Sequence, residues 1–98
     1  MSKQITLKYY SDPGHAWVAV KVKTLFALDV LNRLSIYSYI RGKTVYAEYH
    51  CDAGKVVEAF KAAGYEVNFD YNHTDKTHPI RSYNQLSHIN IKQAIENL

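Results

Sequence analysis

The sequence is poor in cysteine, proline and glycine, and it has no long apolar run. A single cysteine, Cys51, excludes an internal disulfide and is typical of a reducing compartment. Two prolines and four glycines are too few for a disordered or collagen-like chain. No stretch approaches the roughly 18–20 apolar residues of a membrane-spanning helix, and the polar first residues are not typical of a secretion signal. We therefore expect a folded intracellular protein with no membrane contact.

The length of 98 residues sets a second limit. It allows one domain, which we expect to span residues 1–98, since domains typically contain about 100–150 residues. A complete dinucleotide-binding fold, kinase or TIM barrel needs more chain than this. The net charge of +3 excludes an acidic mimic of DNA and is compatible with an anionic ligand.

Tyrosine is the one residue type in excess, with nine copies. Tyrosine combines a large stacking surface with a polar tip and is enriched where proteins bind a partner. It also favours β-strands, so packing within a sheet explains the same excess. Both interpretations stay open at this point.

Hydrophobic patterning predicts an α+β fold with the element order ββαββαβ and a short helix at the end. Alternation predicts strands over 4–10, 15–23, 36–40, 44–50 and 65–71. A period near 3.6 predicts helices over 24–34 and 53–63, with Thr24 and Asp52 as their N-caps and Gly64 ending the second. Asn90 is expected to cap the last helix. Residues 72–79 are polar, show no period and read as a loop.

The economical arrangement is a mostly antiparallel sheet with both longer helices on one face. The helices then cover the face that carries Val18, Val20 and Val22, which leaves the opposite face open. An error of one residue in the register would exchange the two faces. The open face is expected to present the following side chains: His15, Trp17, Lys21, Tyr37, Tyr39, Tyr46, Glu48 and His50.

Rings interleaved with cations on such a face suit nucleobases and phosphates. Self-association or contact with another protein, and plain sheet packing, explain the same pattern. We predict that Trp17, Tyr37, Tyr39 and Tyr46 stack on a base. The remaining predicted ligand-binding residues are Arg41, Lys43 and Arg81 as phosphate contacts, Asp12 and His15 as polar contacts, and Tyr83 beside Arg81.

Catalytic and metal-binding patterns are weak. Cys51 lies just before a predicted helix, a position that lowers the pKa of a thiol, although a buried structural cysteine is the commoner case. The histidines and acids near it match no zinc spacing. No phosphate-binding glycine loop or hydrolase motif is present. We therefore expect a protein that is not an enzyme and that uses no metal or cofactor.

Five segments together resemble a family of small proteins common in phages and prophages. They are S-D-P-G-H-A-W-V-A-V (11–20), Y-S-Y (37–39), G-K-T-V-Y-A-E (42–48), C-D-A (51–53) and R-S-Y (81–83). Members of that family typically read DPGHGW, YSY, VYLEED-CDA and RSY in this order. Here Ala16 replaces the second glycine, Glu48 is followed by Tyr49 and His50 instead of further acids, and residues 84–98 lie outside the resemblance.

The resemblance implies a viral accessory protein acting in the host cytoplasm, and it implies no particular chemistry. Small proteins of this origin act mainly by binding, which favours counter-defence. Our first hypothesis is a homo-oligomer that sequesters a small nucleotide immune signal. The alternatives are an inhibitor that docks on a host defence complex such as a CRISPR effector, and a nucleic-acid binder, whose affinity would fall steeply with salt.

Overall fold

The computed structural model describes residues 3–98. The strands are β1 (Lys3–Ser11), β2 (Ala16–Lys21), β3 (Tyr39–Arg41), β4 (Thr44–Glu48), β5 (Tyr65–His73) and β6 (Asn84–Gln85), and the helices are α1 (Val22–Ala27), α2 (Gly54–Ala62) and α3 (His88–Glu96). The strands form one sheet in the order β5-β1-β2-β4-β3-β6, in which only β1 and β5 run parallel. The predicted α+β class with a mostly antiparallel sheet is confirmed.

The main core lies between one face of the sheet and the helices. Alternation along the strands directs Val18, Val20 and Val45 to this face, where all three are buried. Each helix adds apolar side chains to the same cluster, including Leu25, Phe60 and Ile91. The predicted covering of one face by helices is therefore confirmed, and the third helix packs on that face as well.

The first helix is shorter than predicted and begins earlier. It starts at Val22, whose N–H donates to the Lys43 carbonyl at 2.8 Å, so Thr24 is not its N-cap. It ends before Asp29, which has a left-handed backbone with a φ of 57°, a conformation that aspartate tolerates better than most residues. A 3₁₀ turn at Leu31–Arg33 follows. The apolar period continued across this break, which is why the sequence predicted one long helix.

The second helix has a different N-terminus from the predicted one. A π-helical turn, Tyr49–Ala53, precedes α2, and Glu48 caps it by accepting the Cys51 N–H at 2.8 Å. Asp52 is buried inside this turn and is not the N-cap. The predicted stop at Gly64 is confirmed by its φ of 91°.

The C-terminal helix has its N-cap three residues earlier than predicted. Ser87 accepts the N–H of Asn90 at 3.2 Å and is the N-cap, so Asn90 lies inside the helix. Ile91 docks in the main core, which anchors this short helix. Within residues 3–98, none of the helices is both long and apolar enough to cross a membrane.

The second face of the sheet, opposite the helices, is covered in part by a segment of irregular structure. We call residues 74–83 the covering loop. It ends in the 3₁₀ turn Pro79–Ser82 and buries Ile80 completely. The prediction of an open second face is therefore wrong over the part that carries Trp17, since a loop without periodicity gave no sign that it packs on the sheet.

Candidate functional site

A cleft of about 220 Å³ lies at the end of β2, β4, β3 and β6. The pairing of Trp17 with Glu48, and of Tyr39 with Gln85, aligns these strands. We call it the Trp17 cleft, and its lining residues are His15, Tyr37, Tyr39, Glu48, His50, Cys51 and Gln85. Three of the predicted ligand-binding residues, His15, Tyr37 and Tyr39, are thus brought together.

Trp17 lies beneath this cleft and has no exposed surface. The ring of His15 stacks on it, with 5.9 Å between centroids and 11° between planes. The rings of Tyr39 and His78 lie 6.4 and 6.0 Å from it. The prediction that Trp17 itself stacks on a ligand is wrong, because the covering loop and His15 close over it. Trp17 instead supports the His15 ring. Its Nε1 is buried and has no hydrogen-bond partner among residues 3–98.

Asp12 joins the first hairpin to the covering loop. Its carboxylate accepts two hydrogen bonds from Arg81, both of 2.7 Å, and one from the His78 N–H at 3.0 Å. It also accepts the N–H groups of Gly14 and His15 at 3.0 and 2.9 Å. The Arg81 guanidinium is the main reason why the pKa of Asp12 lies well below its usual value, and the backbone donors add to this effect against the opposing effect of burial.

Asp12 and Arg81, both predicted to contact a ligand, are thus paired with each other, and neither lines the Trp17 cleft. Each neutralises the other, and the pKa of Arg81 is raised by this pairing. The same pair explains Gly14, whose backbone has no left-handed conformation. A Cβ at Gly14 would lie 2.7 Å from Nη2 of Arg81, so the guanidinium occupies the space that a side chain would need.

A second buried carboxylate, Asp52, positions the segment that carries Tyr37 and Tyr39. It accepts the hydroxyls of Ser35 and Ser38 and the Ser35 N–H, and Lys55 approaches it at 3.2 Å. Burial acts to raise the pKa of Asp52, but the hydrogen bonds from Ser38, Ser35 and Lys55 outweigh it and lower the pKa. Because Ser38 lies between Tyr37 and Tyr39, Asp52 fixes the backbone that carries both rings.

The predicted cations do not meet at the cleft. Arg41 lies over the ring of Tyr83, 4.9 Å from its centroid, and both line a separate groove of about 380 Å³ beside α3. Tyr46 packs against Tyr83 at 5.3 Å, and Lys43 is exposed in the β3–β4 turn. In the described part of the chain, no Lys or Arg lines the Trp17 cleft.

The remaining polar groups of the cleft are acceptors and weak donors. Glu48 is buried, and its Oε2 accepts the Cys51 N–H at 2.8 Å. The pKa of the exposed Cys51 thiol is raised, mainly by hydrogen bonding to Glu48. The expected lowering of this pKa by a helix N-terminus is therefore wrong. Residues 3–98 contain no group of three or more His, Cys, Asp or Glu side chains that could hold a metal ion.

Gln85 is the lining residue that sequence reasoning missed. It lies on a strand of two residues, which is too short to show alternation. Alternation did place Glu48 and His50 on this face, but it gave neither a role. The pairing of Glu48 with Cys51 depends on the π-helical turn, for which the sequence carries no recognised signal.

The chain matches no protein-family model, no curated protein and no solved structure.

Proposed function

We propose that the protein is a non-enzymatic binding protein that holds one nitrogen-containing aromatic ring in the Trp17 cleft, and that the ring is the base of a small nucleotide. The observation that carries this proposal is the meeting of three ring side chains, His15, Tyr37 and Tyr39, around a buried carboxylate, Glu48. Rings supply stacking surface, and the carboxylate supplies a directional acceptor.

The rings favour a flat ligand. Tyr37 exposes 61% of its surface, so its ring is accessible to a ligand. His15 is held by Trp17 and by the hydrogen bond from its backbone to Asp12, so its ring is positioned before a ligand arrives. A volume of about 220 Å³ is below the roughly 300–1,000 Å³ typical of drug-sized pockets, which fits a single ring system.

The polar groups favour a ligand edge that carries N–H donors. Glu48 accepts the Cys51 N–H through Oε2 and also pairs with the Cys51 thiol, and the two oxygens of a carboxylate together can accept further hydrogen bonds. Gln85 adds an amide that both donates and accepts. Amino and ring N–H groups of a nucleobase supply the matching donors.

The charges favour recognition of the base over recognition of phosphate. Arg81 is engaged by Asp12, and Arg41 lies in the separate groove. The phosphates of a bound nucleotide therefore remain outside the cleft, and affinity should depend only weakly on salt. That weak dependence separates this proposal from a nucleic-acid binder.

Sequestration of a small nucleotide signal, as a phage counter-defence, is the biological role we propose for such a site. The resemblance of five segments to phage proteins supports it. The raised pKa of Cys51 supports a binding role over nucleophilic catalysis, since the thiolate is the reactive form.

Thermal stabilisation by free nucleosides and by cyclic di- and trinucleotides tests the proposal. Ligands that bind the folded state raise the melting temperature, and the rise grows with the logarithm of the ligand concentration once that exceeds the dissociation constant. Tyr37→Ala should weaken binding of the stabilising ligand about 5- to 150-fold, the range expected for loss of one stacking ring. Phe26→Ala, which removes an equally exposed ring on α1, should leave the affinity unchanged.

Two results would contradict the proposal. The first is a melting temperature that no member of the panel moves at saturating concentration. The second is a stabilising ligand whose affinity Tyr37→Ala and Phe26→Ala reduce equally, because that ligand binds elsewhere.

A further inference from the structure

The edge of the sheet formed by β5 is long and unprotected. Among the strands of residues 3–98, Tyr65–His73 pairs with β1 alone and lies at the end of the strand order. Natural edge strands are usually short or carry lysine, proline or a bulge that prevents pairing with another strand. β5 has nine residues and contains neither lysine nor proline, and its two charged side chains are the acids Glu66 and Asp70. The Asn72 side chain donates to the Asp70 carbonyl at 2.9 Å, and the side of β5 away from β1 pairs with no strand among residues 3–98.

An exposed aromatic patch lies beside the same edge. Tyr71 exposes 70% of its surface and Tyr49 exposes 51%. Tyr9 lies between them, with centroids 5.0 Å from Tyr71 and 5.8 Å from Tyr49. These rings and Phe69 line a groove of about 620 Å³ next to α2. Exposed apolar patches of this kind mark interaction surfaces.

We propose that β5 pairs antiparallel with β5 of a second copy of this chain, around a two-fold axis at Phe69, so that two six-stranded sheets become one. Phe69 is the middle residue of β5, and an axis there pairs all nine residues, with Tyr65 opposite His73 of the second copy. Tyr71 then lies opposite Val67 of the second copy, apolar against apolar. A two-fold contact of this type needs a self-complementary surface.

The charges select the same register. The solvent-side residues of β5 are Glu66, Asn68, Asp70 and Asn72. With the axis at Phe69, each acid lies opposite an asparagine of the second copy. An axis at Asn68 would set Glu66 opposite Asp70, and an axis at Asp70 would set that residue opposite itself. Like charges directly opposite one another destabilise a strand pair. The register of greatest overlap is thus also one without opposed acids.

The paired form leaves the Trp17 cleft accessible. The cleft lies on the β4-β3-β6 side of the sheet, and β5 lies at the other end. The two clefts of a dimer would face away from each other, so failure of ligand binding and failure of dimerisation are separate results.

Sedimentation equilibrium of the full chain over a range of concentrations tests the pairing. We expect a species of twice the 11.3 kDa chain mass. Asn68→Asp puts a carboxylate opposite Asp70 of the second copy and, by symmetry, does so twice. It should raise the dissociation constant roughly 2- to 30-fold, from the range of cross-strand charge pairs.

The double variant Asn68→Asp with Asp70→Lys places opposite charges across the same pair and should restore or tighten the dimer. Asn32→Asp adds the same charge at an exposed position outside β5 and should leave the dissociation constant unchanged. Rescue by the double variant would support this register, because the register places position 68 opposite position 70 of the second copy. Neither substitution alters a core residue.

A chain that stays monomeric at its highest soluble concentration would overturn the proposal. So would a dimer that responds equally to Asn68→Asp and Asn32→Asp, or one that the double variant does not rescue. A monomer that pairs this edge with a foreign peptide strand would show that the occupant is another protein.

Discussion

The two faces of the sheet are covered in different ways. On one face, three helices bury apolar side chains that recur with a helical period, and the cluster includes Phe60, Val56 and Leu25. On the other, an irregular loop covers Trp17 and is fastened by one carboxylate, Asp12. The first covering is distributed over many apolar contacts, whereas the second depends on a few directed hydrogen bonds. Removal of one side chain should therefore have different consequences on the two faces.

Phe60→Ala should give the largest effect. Phe60 is 1% exposed in the main core, and truncation of such a ring typically costs about 3–5 kcal/mol of the free energy of unfolding. Chemical denaturation followed by circular dichroism measures it, and all probes should report one transition. Phe26→Ala, on an exposed ring, should change stability by less than about 0.5 kcal/mol. If Phe60→Ala lowered the free energy of unfolding by no more than Phe26→Ala does, the role given to Phe60 in the core would be contradicted.

Asp12→Asn should give a smaller and more local effect. The carboxylate is buried and Arg81 is partly exposed, so loss of the charge should cost about 2–3 kcal/mol. Since Trp17 is the only tryptophan, its fluorescence reports on the covering loop. We expect a red shift and stronger quenching by acrylamide while the circular dichroism spectrum stays native.

Asp70→Asn removes an exposed carboxylate from β5 and serves as the control. It should leave the fluorescence of Trp17 unchanged. If Asp12→Asn unfolded the whole chain in one step instead, the two coverings would form a single cooperative unit and the contrast between the faces would be lost.

Acid should give the smallest effect. The folded-state pKa values of Asp12 and Asp52 both lie below the unfolded value, so the unfolded chain takes up protons first. The stability that each carboxylate supplies is complete at neutral pH and falls as the pH drops below about 4. By pH 3 Asp12 should have lost about 1 kcal/mol of its contribution, and Asp52 should lose stability in the same direction. Denaturation at pH 7 and pH 3 measures the loss, which should be about 1 kcal/mol smaller in Asp12→Asn. An equal loss in both proteins would contradict the role given to Asp12.

The sequence predicts well those elements whose formation is determined by residues within the element or next to it. Alternation identifies β1 and β5 because each carries apolar residues at every second position, and Gly64 ends α2 because a left-handed residue is needed there. The break in α1 has no such cause. Asp29 takes up its conformation where the chain turns back toward the sheet, and nothing in the apolar period distinguishes it from a helical residue.

The candidate site is predicted only in part, for the same reason. Tyr39 lies on β3 and His15 lies directly before β2, so strand pairing brings these two rings together, whereas Tyr37 lies in the turn before β3. Asp12 and Arg81 are 69 residues apart, and their pairing depends on where a loop without period comes to lie. Charged and aromatic residue types identify groups able to bind a ligand, but they do not show which of them are already engaged within the chain.

The close approach at Gly14 links two distant positions of the chain. The guanidinium of Arg81 fills the volume in which any other residue at position 14 would place its first side-chain carbon. Related chains should therefore exchange the two residues together: where position 14 gains a methyl group, position 81 should lose its arginine, and the loop that it tethers should be attached by some other means.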